Sequence, residues 1–545
     1  MRFRRLRFVV PAVLLVLLPA SPLLAQARGL RAIDVQELQH WLRFLGAREF
    51  RGRSAPSAEL DIASRYLALE AARLGLEPLL PNGSFLQDVP VEVTTVSPER
   101  SRIRLTSPSG ELRLPFPQAF TASARLPGDW SASGPVVFAG TALTGLRPKW
   151  DDAVAELRGR WVMVLEASEA GSTPEERRES AAARERLLRE KGALGVISVI
   201  APEREARLAG HDLDFDVAQR LRFLDVDTVN PVPPPAPGQP AVPAVAPLPL
   251  DAVEVRHEAA AHIMGVSLEE MAKLAEAAAK DRVVAPRALP GRSVDVEVFF
   301  ETRTTSTPNV VAWLPGSDPG LRGEYVLIGS HHDHNPPREG RVFPGADDTA
   351  SGSVGMLALA RALVAERPKR SVIFVWHTAE ERGLVGAYYF VQHSPVPVEK
   401  ISAVLNLDMI SRNDPDGIYL IGSNKVSSEL DASLRRMNDR HVQLSLDYKY
   451  EDPGEPSRFF FRSDQYPYIR YGIPGVWLFC GTTEDYHREG DVEEKADYAK
   501  MEKVVRLAYL VAMDIGNKPD LLKLDVQPEI KTRGPHNMKV VWRRQ

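Results

Sequence analysis

The chain has 545 residues, 44% of them hydrophobic and 26% charged, with a formal net charge of -4. That length exceeds one ordinary core and points to two or three domains. The absence of a basic excess argues against a nucleic-acid surface, and a lone cysteine, Cys480, excludes an internal disulfide.

Taken in chain order, residues 1–27 read as an export signal. "MRFRRLRF" is a basic leader, "VVPAVLLVLLPA" an apolar core, and "SPLLAQA" a small-residue cleavage site near Ala25 or Ala27. The apolar run is too short to span a bilayer comfortably. A secreted or periplasmic protein with no stable membrane anchor is therefore expected. "LRAIDVQELQHWLRFL" and "SAPSAELDIASRYLALEAARLGLEP" read as helices; in the second, Leu60, Ala63, Tyr66, Leu67, Leu69 and Leu74 recur at helical spacing. "FLQDVPVEVTTV" and "SRIRLTS" read as strands.

A second unit is expected from residue 131 to 290. "GPVVFAG" and "GRWVMVLE" read as strands, followed by a charged helix that feeds the buried strand of "GALGVISVI". The stretch 231–250, rich in proline, can be neither helix nor central strand and reads as an extended spacer. "AVEVRHEAAAHIMG" resumes strand then helix, with His257 and His262 as ordinary core or surface residues. From about Val294, short apolar strands alternate with helical stretches, which predicts an α/β domain with a mostly parallel or mixed central sheet.

Ligands of open α/β sheets bind beyond the carboxyl ends of the strands. Here "VLIG" leads to His331, His332, Asp333 and His334; "VIFVW" leads to His377, Glu380 and Glu381; "AVLNL" leads to Asp408; and "VWLFCG" leads to Asp485, Tyr486 and His487. The acidic pair Asp347-Asp348 opens the helix between the first two. Histidines and carboxylates without thiolates suit Zn²⁺ or a similar divalent ion, with Co²⁺ or Mn²⁺ as further options. The acidic groups are too many for one tetrahedral ion and would repel one another without cations. Two metals sharing a bridging carboxylate answer both points and activate a water. Of the Glu380-Glu381 pair, one then binds metal and the other moves protons.

"GSHHDH", "GADDTASG", "TAEERGLVGA", "LNLDMIS" and "EDYH", in this order, resemble the secreted di-zinc aminopeptidase family. That family includes bacterial leucine aminopeptidases, aminopeptidase Y and, more distantly, glutamate carboxypeptidase. The resemblance covers about half the chain and implies a role for each position. His331 and Asp408 would hold one Zn²⁺, Glu381 and His487 the other, and Asp348 would bridge them. Glu380 would be the general base, and Asp333 would hold His331 by a hydrogen bond that fixes its tautomer. The peptide after Asp348 would be cis. Asp347 reads as a cap or supporting group, His332 as packing, and His334 as a supporting contact rather than a ligand. "RSDQYPY" resembles a family segment in which histidine is common where this chain has Gln465.

The resemblance further implies an inserted protease-associated α+β domain over 131–290. Residues 29–130 and 291–518 would together form the catalytic domain, and 519–545 a basic tail. The implied function is a zinc exopeptidase that removes N-terminal residues from peptide substrates. A carboxypeptidase or glutaminyl-cyclase-like enzyme on the same scaffold is the alternative. A carboxypeptidase would need a cationic pocket, for which Arg382, Arg462 and Arg470 are candidates. A non-catalytic binding protein would lack ligands or the base, and none is missing.

Overall fold

The structure, a computed structural model, describes residues 28–122, 128–143, 156–166, 174–210, 219–227, 250, 253–452 and 454–526. The expected export signal, nearly all of the proline-rich stretch and the end of the C-terminal tail lie outside these residues. Among the described residues, no helix is long and apolar enough to cross a membrane.

Two sheets organise the described residues. At the centre of the larger, ten-stranded sheet, Gly475–Phe479, Ile401–Leu407, Tyr325–His331 and Ser371–His377 run parallel, in that spatial order. Every residue of these four strands is buried. Both faces are covered, so the strands carry unbroken apolar runs rather than alternation. One face packs against helices Val35–Leu45, Gly352–Ala365 and Tyr498–Gly516 through Trp41, Leu363 and Val504. The other packs against Val385–Gln392 and Gln465–Arg470 through Phe390 and Tyr468. Antiparallel strands Phe300–Leu314 and Leu86–Val96 extend one side of the sheet.

The smaller sheet has eight strands and its own core around Phe138, Trp161 and Ile263. Its strands do not follow the boundary expected at residue 131. Arg102–Ser107, Gly110–Pro115 and Phe120–Ala122 join it, and so does Arg287–Val298. Conversely Gln219–Phe223, from inside the expected insert, adds to the edge of the larger sheet beside Leu86–Val96. Strand pairing across more than a hundred residues decides these memberships, and local sequence carries no trace of it. In helix Ala58–Arg73, Leu60, Ala63 and Leu67 are buried as the spacing predicts, but Leu69 is 65% exposed on the outer face.

The two units also meet through charge. Glu339, in the loop after the first histidine cluster, takes Arg207 at 2.7 Å and Arg204 of the same helix, Pro202–Gly210.

Away from the parallel strand ends, Glu451 is 1% exposed and accepts the amide of Asn424 at 2.8 Å. Burial pushes its carboxyl up to about 8 from 4.5. The folded group keeps its proton to that pH, whereas the unfolded one releases it near its ordinary value. Its contribution to stability is therefore full below pH 4.5 and lost as pH rises towards 8. Glu451→Gln should raise Tm relative to wild type more at pH 8 than at pH 5, which thermal melts at the two pH values would check.

Candidate metal centre

The carboxyl ends of the four parallel strands converge on one rim. His331 ends its own strand, Asp408 follows Leu407, Glu380 and Glu381 stand three and four residues beyond His377, and His487 lies on the loop after Phe479. Asp348 arrives on the irregular helical turn Ala346–Ser351, and the Asp348–Thr349 peptide is cis, as the resemblance implies.

The donors fall into two groups that share Asp348. His331 Nε2 is 3.4 Å from Asp408 Oδ1 and 3.3 Å from Asp348 Oδ1. His487 Nε2 is 3.0 Å from Asp348 Oδ2 and 3.1 Å from Glu381 Oε1. Glu380 Oε2 stands 3.9 Å from His331 Nε2. Asp348 thus turns one oxygen to each group, the disposition a bridging carboxylate needs.

The electrostatics suit cations. Against the burial that lowers it, contacts with Asp348 and Glu381 raise His487 to about 10. Burial raises Glu380 well above the ordinary carboxyl value, and Asp408 upwards as well. Asp348 is held well below its ordinary value because three imidazoles outweigh its burial. Glu381 Oε1, Asp408 Oδ1 and His334 Nδ1 are buried without a hydrogen-bond partner. Carboxylates crowded this closely, with orphaned oxygens and nitrogens facing one another, fit divalent ions of the zinc type.

Asp333 holds His331 through its backbone rather than its side chain. His331 Nδ1 donates to the backbone carbonyl of Asp333 at 2.9 Å, whereas the Asp333 carboxylate is 3.8 Å from it. That carboxylate instead accepts the amide of Glu380 at 3.0 Å, and burial raises it to about 7. The carbonyl fixes the tautomer of His331, and the carboxylate anchors the turn that carries Glu380. Asp347 is a supporting group: its Oδ1 accepts from the Ser411 amide and hydroxyl at 2.8 and 2.7 Å, and Cys480 Sγ lies 3.3 Å from its Oδ2. His332 packs between Ser64 Oγ and the His377 carbonyl. Gln465 donates to the Arg462 carbonyl at 2.8 Å.

Three residues with a part in the site went unrecognised in the sequence, and a fourth, His334, was read in a lesser role. Asp491 accepts the amides of both Asp347 and Asp348, at 2.9 and 3.1 Å, and so fixes the acidic turn. Its signal is its position four residues after His487. Ser463 donates to Asp408 Oδ2. His334, read as a supporting contact, enters the donor group with Asp348, Glu381 and His487. Its place three residues after His331 could have suggested this. Arg53 had no local signal at all. It is 1% exposed and donates to the carbonyls of His332, Leu45, Pro344 and Gly345 at 2.6–3.0 Å. Burial lowers it to about 10 even though Asp333, Asp491 and Asp348 pull it up. It ties the histidine loop to the acidic turn. Arg53→Met should lower stability by about 3 kcal/mol or more, since carbonyls bonded to a charge lose their donor. A thermal melt unchanged from wild type would refute that.

Beside the donors lies a cavity of about 280 Å³, walled by Phe459, Phe461, Trp477, Phe479 and Tyr486, with Arg462 also lining it. Tyr486 stacks on His487 with ring centroids 3.8 Å apart. Arg470 is buried on Tyr388 Oη at 2.8 Å, and neither it nor Arg382 lines the cavity.

Residues 309–512 match the sequence model of Peptidase family M28. The chain is 33% identical over 227 residues to a probable leucine aminopeptidase 2 of Aspergillus oryzae, covering 40% of this chain and 41% of that protein. It is 28% identical over 273 residues to a leucine aminopeptidase 2 of Trichophyton rubrum, covering 44% and 51%. The chain thus spans about half or less of the length of these curated relatives. A solved zinc aminopeptidase from Bacillus subtilis aligns over 92% of this chain and 99% of its own, with 16% identity and a TM-score of 0.49. All the donors described above lie within 309–512, the residues that match the model of Peptidase family M28.

Proposed function

We propose that the chain is an exported, zinc-dependent aminopeptidase that binds two Zn²⁺ and removes N-terminal residues from peptides. The observation that carries this is the pair of donor groups, one with Asp348, Glu381 and His487 and the other with His331, Glu380 and Asp408, with Asp348 turning one oxygen to His331 and the other to His487 and an aromatic cavity beside them. His331 and Asp408 would hold one ion, Glu381 and His487 the other, with Asp348 between. The ions would supply a water of lowered pKa and polarise the scissile carbonyl.

The chain's own groups do the rest. Glu380 Oε2 takes a proton from the attacking water and passes it to the leaving amine. The Asp333 carboxylate holds the Glu380 amide, so the side chain reaches the cavity from a fixed turn. Burial keeps the Tyr486 hydroxyl protonated far beyond neutral pH, and it lines the cavity, where it can donate to a developing oxyanion. The aromatic walls exclude water and take up the apolar part of the substrate. Residues 1–27 would direct export, which N-terminal sequencing of the protein recovered outside the cytoplasm would check.

Arg462, the cation in the cavity lining, favours a second reading in which a substrate carboxylate is bound. Two peptides separate the readings. One has a free amine and an amidated C-terminus; the other has an acetylated N-terminus and a free carboxylate. The aminopeptidase cleaves only the first. Cleavage of only the second would overturn the proposal, and metal content measured alongside should be two ions per chain.

A further inference from the structure

We propose that His334 is itself a metal ligand through Nδ1, so that one of the two metal positions has four protein donors and the other only three. The inference rests on the two-metal reading above and deepens it.

The geometry around His334 is that of a coordination site. His334 Nδ1 is 2.9 Å from Glu381 Oε1 and 3.8 Å from Asp348 Oδ2, and His487 Nε2 is 3.1 and 3.0 Å from the same two oxygens. Zinc bonds of about 2.0–2.1 Å in a tetrahedron place neighbouring donors roughly 3.3 Å apart. Three of these separations lie close to that edge, and the fourth, His334 Nδ1 to Asp348 Oδ2 at 3.8 Å, is longer. All ligand atoms of the group lie within 4.8 Å of one another.

His334 also behaves as a donor turned on a shared point rather than as a hydrogen-bonding partner. Its ring is fully buried, and although Nδ1 is close to Glu381 Oε1, neither atom makes a hydrogen bond. A buried imidazole whose nitrogens find no partner is costly unless something else binds it. Packing sets the ring in this place. Gly345 has φ +61°, and a Cβ there would lie 2.6 Å from His334 Cγ, so the ring occupies space that a side chain at 345 would fill.

The two positions therefore differ. His334, Asp348, Glu381 and His487 close one coordination sphere. His331, Asp408 and Asp348 supply three donors to the other, with Glu380, the proposed base, 3.9 Å from His331 Nε2. Four-donor sites retain their ion and three-donor sites keep an exchangeable position. The ion at the His334 position is held firmly, and the one at the His331 position exchanges.

The test uses the full-length mature protein loaded with Zn²⁺ and dialysed against rising concentrations of a chelator, with metal per chain as the readout. Wild type should lose its ions in two separate steps. In His334→Ala the later step should move to at least ~100-fold lower chelator, because altering even an outer contact of a ligand costs about 10–100-fold in affinity. A second variant covers the case in which this one folds poorly. In His334→Cys the sulfur falls about where Cγ stands, one bond from Nδ1, so Co²⁺ loading should produce a thiolate-to-cobalt charge-transfer band absent from wild type. If His334→Ala releases both ions as wild type does, or His334→Cys shows no band, the assignment is overturned. Should wild type bind only one ion, the two-metal reading fails. The assignment of His334 then stands if His334→Ala loses that ion and falls if it keeps it.

Discussion

Glu380→Gln should cut kcat/KM on N-terminal peptide substrates by on the order of 10²–10⁴-fold while leaving metal content at its wild-type level. The side chain has the right environment for proton transfer. It is 15% exposed, close to His331 and surrounded by Glu381, Asp464 and Asp408. Burial and these like charges raise its proton affinity well above that of a free carboxylate. Glutamine keeps the size and the backbone, whose amide stays on Asp333, but it cannot accept and return a proton. The loss should appear in kcat rather than in KM, because the group acts on the transition state and not on substrate binding. A variant that retains metal and turns over at the wild-type rate would remove Glu380 from the mechanism. A variant that loses metal would instead make it a ligand.

Asp348→Asn should release both ions. Each oxygen of Asp348 faces a different group, His331 Nε2 at 3.3 Å and His487 Nε2 at 3.0 Å. The substitution turns one of those oxygens into an amide nitrogen that cannot donate electrons to a metal, and it removes the charge shared by the two sites. A loss of at least about 100-fold in affinity is expected, since outer-shell changes alone cost 10–100-fold. Activity should fall with it. The fold should survive, because Asp348 is fixed to Asp491 through its backbone amide rather than its side chain. The neighbouring Asp347→Asn is the matched control. Its carboxylate is engaged by Ser411 and Cys480, so metal content should be kept. Metal analysis of both variants decides the point: equal retention in the two would show that Asp348 is no bridge.

The sequence alone marked out the parallel core, because a strand covered on both faces must be apolar throughout and the chemistry-bearing residues can only follow it. Tyr325–His331, Ser371–His377, Ile401–Leu407 and Gly475–Phe479 were legible for that reason, and so were the residues just beyond them. Motif order then suggested a part for each donor but His334, and the two donor groups bring those residues together with His334.

What remained hidden depended on contacts between distant segments. Arg53 bonds carbonyls from 8 to 292 residues away, and nothing in "FRGRS" indicates that its guanidinium is buried. The hairpin Arg102–Pro115 pairs with Arg287–Val298, and a strand's own residues do not say which of two sheets will take it. Asp333 and His334 show the limit most directly. Both follow His331 in one short run, so sequence placed them at the site, but the direction in which each side chain turns is set by tertiary packing. The amide of Glu380 draws the Asp333 carboxylate away from His331, and the bare Gly345 leaves room for the His334 ring beside Glu381. Local sequence determined which strands form the core and which residues stand at their ends. Only the tertiary structure decided which atoms face one another there, because that choice is made by burial and by hydrogen bonds from elsewhere in the chain.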